Sequence, residues 1–306
     1  MAKMDYQSII AEIVQPKVVD NVVVAKMDKL NGLFTKNTDY KSGSRISDEN
    51  AISETAAGGA FTRADANPES MTQTFASPYW NKVYYHEAAK VRREDLDEAK
   101  EGTPLLNLLT DAAMKATRQC MKHVFNGCIT QIKADVDSSS NYSDGAITRV
   151  TALQSYEEAT DATITLAYLR GAHKAIALKE TIDWNEYVWL LEQTVLNTAH
   201  PLMSATGSWV ENNPRDQSGS PVNPSGVSAG YLPVGRFDGI RVDTTYGMTV
   251  GDCFLLRRED VQIQEHKGLE LEMVPVDEYA YKMVARIGVN AWVRRPAFQA
   301  KLTSKD

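Results

Sequence analysis

The clearest pattern in the chain is an amphipathic segment that begins at Thr103-Pro104. A threonine N-cap and a proline at the first helical position predict a helix start, and Asn126-Gly127 predicts its end. At 100° per residue, the apolar positions fall on one face and the charged positions on the opposite one. The apolar face comprises Leu105, Leu109, Ala113, Ala116, Cys120 and Val124, and the opposite face carries Asp111, Lys115, Arg118 and Lys122. The predicted helix has about 23 residues, roughly twice the mean for a globular domain.

A second pattern near the C-terminus is a strict alternation of apolar and polar positions, which predicts a long strand with one buried face. The apolar set is Tyr279, Tyr281, Met283, Ala285, Ile287, Val289, Ala291 and Val293, and the polar set is Lys282, Arg286, Asn290 and Arg294. Pro296 predicts the end of the strand, because proline cannot donate to a sheet ladder.

Shorter elements are predicted in the middle of the chain. Thr165 caps a helix in which Leu166, Leu169, His173, Ile176 and Ala177 share a face. On that face His173 is expected to be a packed histidine with one hydrogen bond. Strands are predicted at 187–191, 237–242, 252–256 and 261–263, and a long exposed loop at 212–230. The mixture of helices and strands indicates an α+β fold.

The N-terminal segment predicts one or two helical turns followed by an arm. Ile9, Ile10, Ile13 and Val14 have helical spacing, and Pro16 is expected to end the helix. The β-branched run that follows predicts a strand without a local partner, which must pair with the body of the fold or with another chain. Val22, Val23 and Val24 are therefore predicted inter-subunit contacts.

Residues 35–75 have few large apolar side chains and many serines and glycines. Compact domains rarely contain so long a connection, so the segment predicts either a disordered linker or a projecting functional loop. The aromatic-rich stretch from Met71 to His86 favours the loop, since it predicts a returning strand.

Composition narrows the class of protein further. The chain has 306 residues, 43% hydrophobic, with a formal net charge of −7, which predicts a soluble globular protein. The acidic balance argues against nucleic-acid binding as the main source of affinity. No stretch approaches the roughly 20 apolar residues of a membrane span. The three cysteines, Cys120, Cys128 and Cys253, are odd in number and widely spaced, which predicts free thiols.

One catalytic motif matches by its letters. Gly226-Val-Ser-Ala-Gly230 fits the nucleophile elbow of serine hydrolases, with Ser228 as nucleophile and His266 downstream. The elbow needs a buried strand before it and a helix after it, whereas Pro224 and Pro233 flank this copy. The sequence has no close-set histidine pair, no Cys-x-x-Cys, no phosphate loop and no dinucleotide fingerprint. We therefore expect no enzyme, no metal and no cofactor.

The order of these elements resembles the major capsid protein of tailed bacteriophages, the Hong Kong 97 fold. The resemblance covers nearly the whole chain and is most specific in the C-terminal third. The segments that carry it are Gly235-Arg-Phe-Asp-Gly-Ile-Arg-Val242, Gly251-Asp-Cys-Phe-Leu-Leu256, Ala285-Arg-Ile-Gly-Val289 and Val293-Arg-Arg-Pro-Ala297.

The resemblance implies a division of the chain. Residues 1–34 would be an N-terminal arm and 35–86 an extended loop laid over a neighbouring subunit. Residues 87–135 and 254–306 would form the peripheral domain, with the spine helix and long strands, and 136–253 the axial domain. Only about 35 residues precede the loop, so assembly is expected to use a separate scaffold protein or none.

The resemblance implies a structural protein that assembles with itself in hexamers and pentamers into an icosahedral head around double-stranded DNA. It would enclose that DNA without sequence-specific binding. Portal, scaffold and decoration proteins are further expected partners. The protein would be located in the virion after assembly in the host cytoplasm, and no membrane partner is expected. Arg45, Arg63, Lys115, Arg118 and Lys122 join the three valines as expected inter-subunit contacts. The alternatives are an encapsulin-type nanocompartment shell and, more weakly, a serine hydrolase that uses Ser228.

Overall fold

The computed structural model describes residues 6–37, 45–47, 52–55, 72–75, 79–99, 103–136, 156–159, 164–177, 182–205, 209–211, 235–244, 248–295 and 298–303. The chain divides into two compact units. Unit 1 comprises residues 1–40, 82–129 and 263–291, and unit 2 comprises 41–81, 130–262 and 292–306. Within the described ranges, no helix is both long and apolar enough to span a membrane.

Along the described residues, the chain is helical at its N-terminus, contains both helices and strands in its middle, and consists of strands after α7. The helices are α1 (Tyr6–Ile9), α2 (Gln15–Val18), α3 (Ala25–Leu33), α4 (Arg93–Glu98), α5 (Thr103–Val136), α6 (Leu166–Ala177) and α7 (Gln193–Ala205). The strands are β1 (Thr35–Lys36), β2 (Arg45–Ser47), β3 (Ile52–Thr55), β4 (Thr72–Phe75), β5 (Tyr79–Asn81), β6 (Tyr84–Arg92), β7 (Tyr156–Ala159), β8 (Tyr187–Leu191), β9 (Trp209–Glu211), β10 (Gly235–Phe237), β11 (Ile240–Asp243), β12 (Asp252–Arg257), β13 (Val261–Asp277), β14 (Ala280–Val293) and β15 (Ala300–Thr303). The predicted α+β class is confirmed.

Unit 1 begins with a continuous helical segment, residues 6–33, which we call the N-terminal helix. Two π-helical turns, Ile10–Val14 and Val19–Val24, join its three α-helical parts. Its buried side chains recur every four positions, at Ile10, Val14, Val18 and Val22. A period of four exceeds the 3.6 residues of an α-helical turn, and the wider π turns absorb the difference.

The strand-like arm predicted for the β-branched run is therefore wrong, because those valines lie in the N-terminal helix. Pro16 does not end the helix either. It occupies the first turn of α2, where proline is tolerated.

The sheet of unit 1 has four strands in the order β1-β13-β14-β6. Strands β14 and β6 are antiparallel, from Ala280 opposite Arg92 to Gly288 opposite Tyr84. The predicted C-terminal strand is confirmed in β14, but its second half is buried on both faces. Asn290, predicted on the polar face, is fully buried, and its Oδ1 accepts a hydrogen bond from Val83 N at 3.0 Å.

The predicted spine helix is confirmed in α5, and all six residues of its predicted apolar face are buried. The predicted end at Asn126-Gly127 is wrong, since α5 has 34 residues. The apolar stripe continues with Cys128, Ile132 and Val136, each at most 1% exposed. Gly127 is needed for packing rather than for a helix stop, because a Cβ there would overlap the Tyr85 ring.

Unit 2 contains a mixed seven-stranded sheet in the order β7-β15-β12-β8-β11-β10-β9. Its central strands β8 and β12 are buried almost throughout, which explains their uninterrupted apolar runs. β10 and β11 form a hairpin whose turn, Asp238-Gly239, has positive φ at both positions, as the favoured two-residue turn requires. The predicted strands at 187–191 and 252–256 are confirmed. The segment predicted at 237–242 is the hairpin of β10 and β11 rather than one strand, and the strand predicted at 261–263 is the start of the much longer β13.

Helices α6 and α7 contribute to the core of unit 2. The helix predicted after Thr165 is confirmed, and of its predicted face only Ala177 is exposed. His173 is a packed histidine as predicted: its Nε2 accepts a hydrogen bond from Trp189 Nε1 at 3.1 Å. Burial lowers the pKa of His173 to about 4, so the ring is neutral at pH 7. The predicted loop at 212–230 lies outside the described residues.

Candidate intersubunit surfaces

Three basic residues on α5, Lys115, Arg118 and Lys122, form what we call the basic stripe. All three are exposed, as their spacing predicted, because the apolar positions of the same helix turn toward the core. None of them forms an ion pair within the part of the chain that the structure describes. The stripe is therefore a patch of positive charge available to a partner. Its inter-subunit role stays a prediction.

In unit 1, a histidine of helix α5 lies next to a carboxylate of strand β6. The His123 side chain of α5 lies 3.0 Å (Nε2 to Oε2) from Glu87 of β6. The pKa of Glu87 is lowered, first by the hydrogen bond that its carboxylate accepts from Ala88 N and then by His123. The carboxylate is therefore ionised at neutral pH, and this edge of unit 1 carries both signs of charge.

The three N-terminal valines differ in exposure. Val22 and Val23 are each 4% exposed, and Val24 is 45% exposed. The first two pack inside the chain because they lie on the buried face of the N-terminal helix, so their surface is not open to another copy. Of the three predicted contacts, only Val24 presents its side chain to solvent.

The segment predicted as a projecting loop contains two short antiparallel pairs, which we call the loop ribbon (residues 45–81). Strand β2 pairs with β5, with Arg45 opposite Asn81, and β3 pairs with β4, with Thr55 opposite Thr72. Among the described strands, neither pair joins the larger sheets. Strands β4 and β5 and the start of β6 lie in the predicted returning segment. Arg63 and the side chain of Arg45 lie outside the described residues, so their predicted contacts are untested.

The end of β13 and the turn that follows it, residues 275–279, form an exposed apolar projection that the sequence did not reveal. Tyr279 is 73% exposed and Val276 is 46% exposed. The alternating pattern placed Tyr279 on the buried face. It lies instead in the turn, where its backbone N–H donates to Asp277 Oδ1 at 2.8 Å. The adjacent Asp277-Glu278 pair was the available signal, because two consecutive acidic residues favour a turn over a buried strand.

The cysteines of the described residues are buried in the protein interior, where they pack with other side chains. The three cysteines are free and buried, as predicted. Burial raises the pKa of Cys120 and of Cys128 to about 12, which keeps both thiols protonated and unreactive. Among the described residues there is no cluster of metal-ligating side chains. The Ser228 motif lies outside the described residues, and His266, its predicted partner, is a buried residue of β13.

Sequence comparison does not assign the chain to a family. No known protein-family profile matches it. No curated protein sequence matches it.

The solved structures that are similar to this chain include capsids and a virus-like particle. The chain is similar to the capsid of cyanophage A-1(L), at 13% identity and a TM-score of 0.55, covering 90% of this chain and 92% of that one. It is similar to a virus-like particle from Pyrococcus furiosus, at 8% identity and a TM-score of 0.53, covering 91% and 96%. The capsid of a native GTA particle is similar at 14% identity and a TM-score of 0.53, covering 91% and 90%. The chain therefore has the Hong Kong 97 capsid fold, as the sequence resemblance implied.

Proposed function

We propose that this protein is a structural capsid subunit: many copies assemble into the icosahedral head of a tailed phage and enclose its double-stranded DNA. The observation that carries the proposal is the extent of the likeness. Capsid shells match at least 90% of this chain, and at least 90% of their own chains is covered, at TM-scores above 0.5. Likeness on this scale leaves little of the chain for a separate activity.

The proposed role also explains how the chain distributes its surface. A shell subunit needs surfaces that are satisfied only in the assembly. The loop ribbon supplies backbone edges, since its two-stranded pairs join no larger sheet. The basic stripe supplies charge, and residues 275–279 supply exposed apolar area. Together these give electrostatic and hydrophobic contacts with neighbouring copies.

Within this proposal, residues 1–34 are the arm, 35–86 the extended loop, 87–135 the start of the peripheral domain and 136–253 the axial domain. The C-terminal part of the peripheral domain begins at 254. The pairing of β15 with β12 and β7 favours placing residues 300–303 with the axial domain instead.

The net charge of −7 suits a container for DNA. A strongly basic wall would bind packaged DNA along its phosphates with high affinity, and an acidic wall encloses it without holding it. We propose that the shell encloses DNA without sequence-specific binding, that it is built in the host cytoplasm, and that portal, scaffold and decoration proteins are its partners.

A shell that encloses protein cargo is the second candidate. The likeness to the Pyrococcus furiosus virus-like particle, which covers 96% of that chain, favours keeping this nanocompartment alternative. The two candidates share a fold and differ in what the particle contains.

Sedimentation of the purified protein tests the proposal. We expect particles of many copies, whereas a species that stays at 33.9 kDa under all assembly conditions would contradict a shell function. Particles isolated from the natural source should contain nuclease-protected DNA. A tightly bound enzyme in place of DNA would favour the nanocompartment. Ester hydrolysis abolished by Ser228→Ala would revive the hydrolase.

A further inference from the structure

The outer edge of β13 is occupied by side chains rather than by a strand. β13 lies between β1 and β14, but β1 has only two residues. Next to β1, Asn37 N donates to Ile263 O at 2.7 Å, which covers the beginning of the edge. Beyond this point, none of the strands that the structure describes pairs with β13 on that side.

Two glutamines of the N-terminal helix take the place of the missing strand. Gln15 Nε2 donates to Leu269 O at 2.8 Å, and Gln15 Oε1 accepts from Leu271 N at 3.5 Å. Gln7 Nε2 donates to Leu271 O at 3.1 Å, and Gln7 Oε1 accepts from Met273 N at 3.1 Å. Each amide both donates and accepts, as a residue of a neighbouring strand would.

The edge ends at a residue that needs no partner. Alternate residues of a strand direct their backbone groups to the same side, so the series Leu269, Leu271, Met273 continues with Pro275. Proline has no N–H, and Pro275 is exposed. From Leu271 to Pro275, every backbone donor on this edge is therefore paired or absent.

The π-helical turns explain how both glutamines reach the same strand. Eight residues separate Gln7 from Gln15, which is more than two turns of an α-helix. The π turn at Ile10–Val14 widens the helix, so that eight residues approach two full turns and both side chains point to the same side. The helix itself is held by fully buried Ile10, Val14 and Val18, so its attachment does not depend on the amides.

We propose that Gln7 and Gln15 are an edge guard that prevents the β13 edge from pairing with an extended segment of a second copy of this chain. An unprotected edge is a template for strand addition, and natural proteins block such edges with side chains and proline. The inference rests on the proposed function in one respect: the copies of a shell protein meet at high local concentration during assembly. The guard then confines association to the intended surfaces.

The test compares the double variant Gln7→Leu/Gln15→Leu with a matched control, Gln119→Leu, which removes an exposed glutamine from α5. Leucine keeps the approximate size and helix propensity but cannot pair with the edge. We expect hydrogen exchange at the Leu271 and Met273 amides to become about tenfold faster in the double variant, with the amides of Val14 and Val18 still protected. The double variant should also form irregular aggregates, and the control should behave like the unmodified protein.

A single substitution separates edge pairing from loss of the helix. Gln7→Glu still accepts the Met273 N–H but cannot donate to Leu271 O. The Met273 amide should therefore stay protected in Gln7→Glu and lose protection in Gln7→Leu. Unchanged exchange at Leu271 and Met273 in the double variant, or regular particles with no added aggregation, would overturn the inference. If the unmodified protein never forms shells but the double variant still aggregates through its edge, the proposed function fails and the edge guard stands.

Discussion

At Gly127, helix α5 passes so close to Tyr85 of β6 that no side chain fits between them. The glycine has a cost of its own, because glycine in a helix interior is about 1 kcal/mol less favourable than alanine. The close contact buries the Tyr85 ring, and burial raises the pKa of its hydroxyl above the usual range. The packing of the helix on the sheet therefore outweighs the local helix preference at this residue.

Gly127→Ala should lower the free energy of unfolding by about 1–3 kcal/mol, because the added methyl group displaces the Tyr85 ring. Gly32→Ala is the matched control, since a Cβ at this helical glycine meets nothing within 4 Å. The control should be neutral or stabilise by about 0.5–1 kcal/mol. Urea unfolding of the unassembled subunit measures both. Equal effects at the two glycines would contradict the packing argument.

His266 is the second residue whose surroundings have a measurable consequence. It is 7% exposed, and neither ring nitrogen has a hydrogen-bond partner among the residues that the structure describes. The ring packs edge-on against Tyr84, with centroids 5.1 Å apart, and a Cβ at Gly288 would lie 2.5 Å from Nε2. Burial, with a smaller effect from Lys82, lowers the pKa of His266 to about 4.

Acidification should therefore weaken unit 1 through His266. The pKa of His266 is about 4 in the folded chain and 6.5 in the unfolded chain. Between these values the unfolded chain binds more protons, so stability is lost as the pH falls from about 6.5 toward 4. In urea unfolding, His266→Leu should reduce the loss between pH 7 and pH 4.5 by on the order of 2 kcal/mol.

Other groups titrate equally in both chains, so the comparison isolates His266. The lowered pKa of His173 also makes the folded chain less stable as the pH falls through the same range. Asp243, whose pKa burial raises to about 6, opposes that loss of stability. A pH dependence that is identical in the variant and the unmodified protein would show that the pKa of His266 is the same in the folded and unfolded chains, which would contradict the prediction.

At the scale of elements, the basic stripe is predicted to act on assembly and not on folding. Arg118→Glu should leave the free energy of unfolding within about 0.5 kcal/mol, because Arg118 is exposed and contributes no buried contact. Particle formation, followed by light scattering, should slow. The difference should shrink at high salt, since exposed charges are screened.

The matched control for the stripe is Lys174→Glu, at an exposed position of α6. This variant makes the same kind of charge reversal away from the stripe. If both variants slow particle formation equally, net charge alone is responsible and the stripe is not a specific contact.

The loop ribbon gives the second prediction at this scale. Replacing residues 46–80 with two glycines should leave a folded subunit, because Arg45 and Asn81 lie opposite each other and a two-residue turn can join them. A narrower deletion of residues 43–70 would leave β4 and β5 without partners. The shortened chain should keep its unfolding transition and lose stable particles, because we expect the ribbon to contact other copies.

The opposite outcome for the ribbon is equally clear. A shortened chain that unfolds but still assembles would show that residues 46–80 stabilise their own subunit. Circular dichroism and electron microscopy on the same sample distinguish the two results.

The elements that the sequence predicted correctly are those in which one pattern repeats at the expected period. The apolar positions of α5 and the alternation in β14 are of this kind. Only the first turns of the N-terminal helix were predicted, because its buried residues recur every four positions, a period between those of the α-helix and the π-helix. Its valines favour strands by local propensity, and burial along one helix face outweighs that preference.

At the scale of the whole molecule, the order of the predicted elements indicated the fold better than any candidate functional site did. The succession of arm, loop, long helix, mixed middle and final strand indicated the fold, although identity to similar shells is only 8–14%. The edge contacts of Gln7 and Gln15 could not be predicted, because they join residues more than 250 positions apart. Tyr279 is exposed because it lies in a turn. The sequence of that turn continues the alternation of apolar and polar positions without a break, so the turn could not be recognised from the alternation. Contacts between copies leave no periodic signal within one chain.

The central claim is that this chain builds a closed shell, and cryo-electron microscopy of the purified full-length protein tests it most directly. We expect closed icosahedral particles in which each subunit has the present fold and the loop ribbon of one copy lies on a neighbour. A homogeneous population of monomers, or an open assembly in which the ribbon contacts only its own subunit, would contradict it.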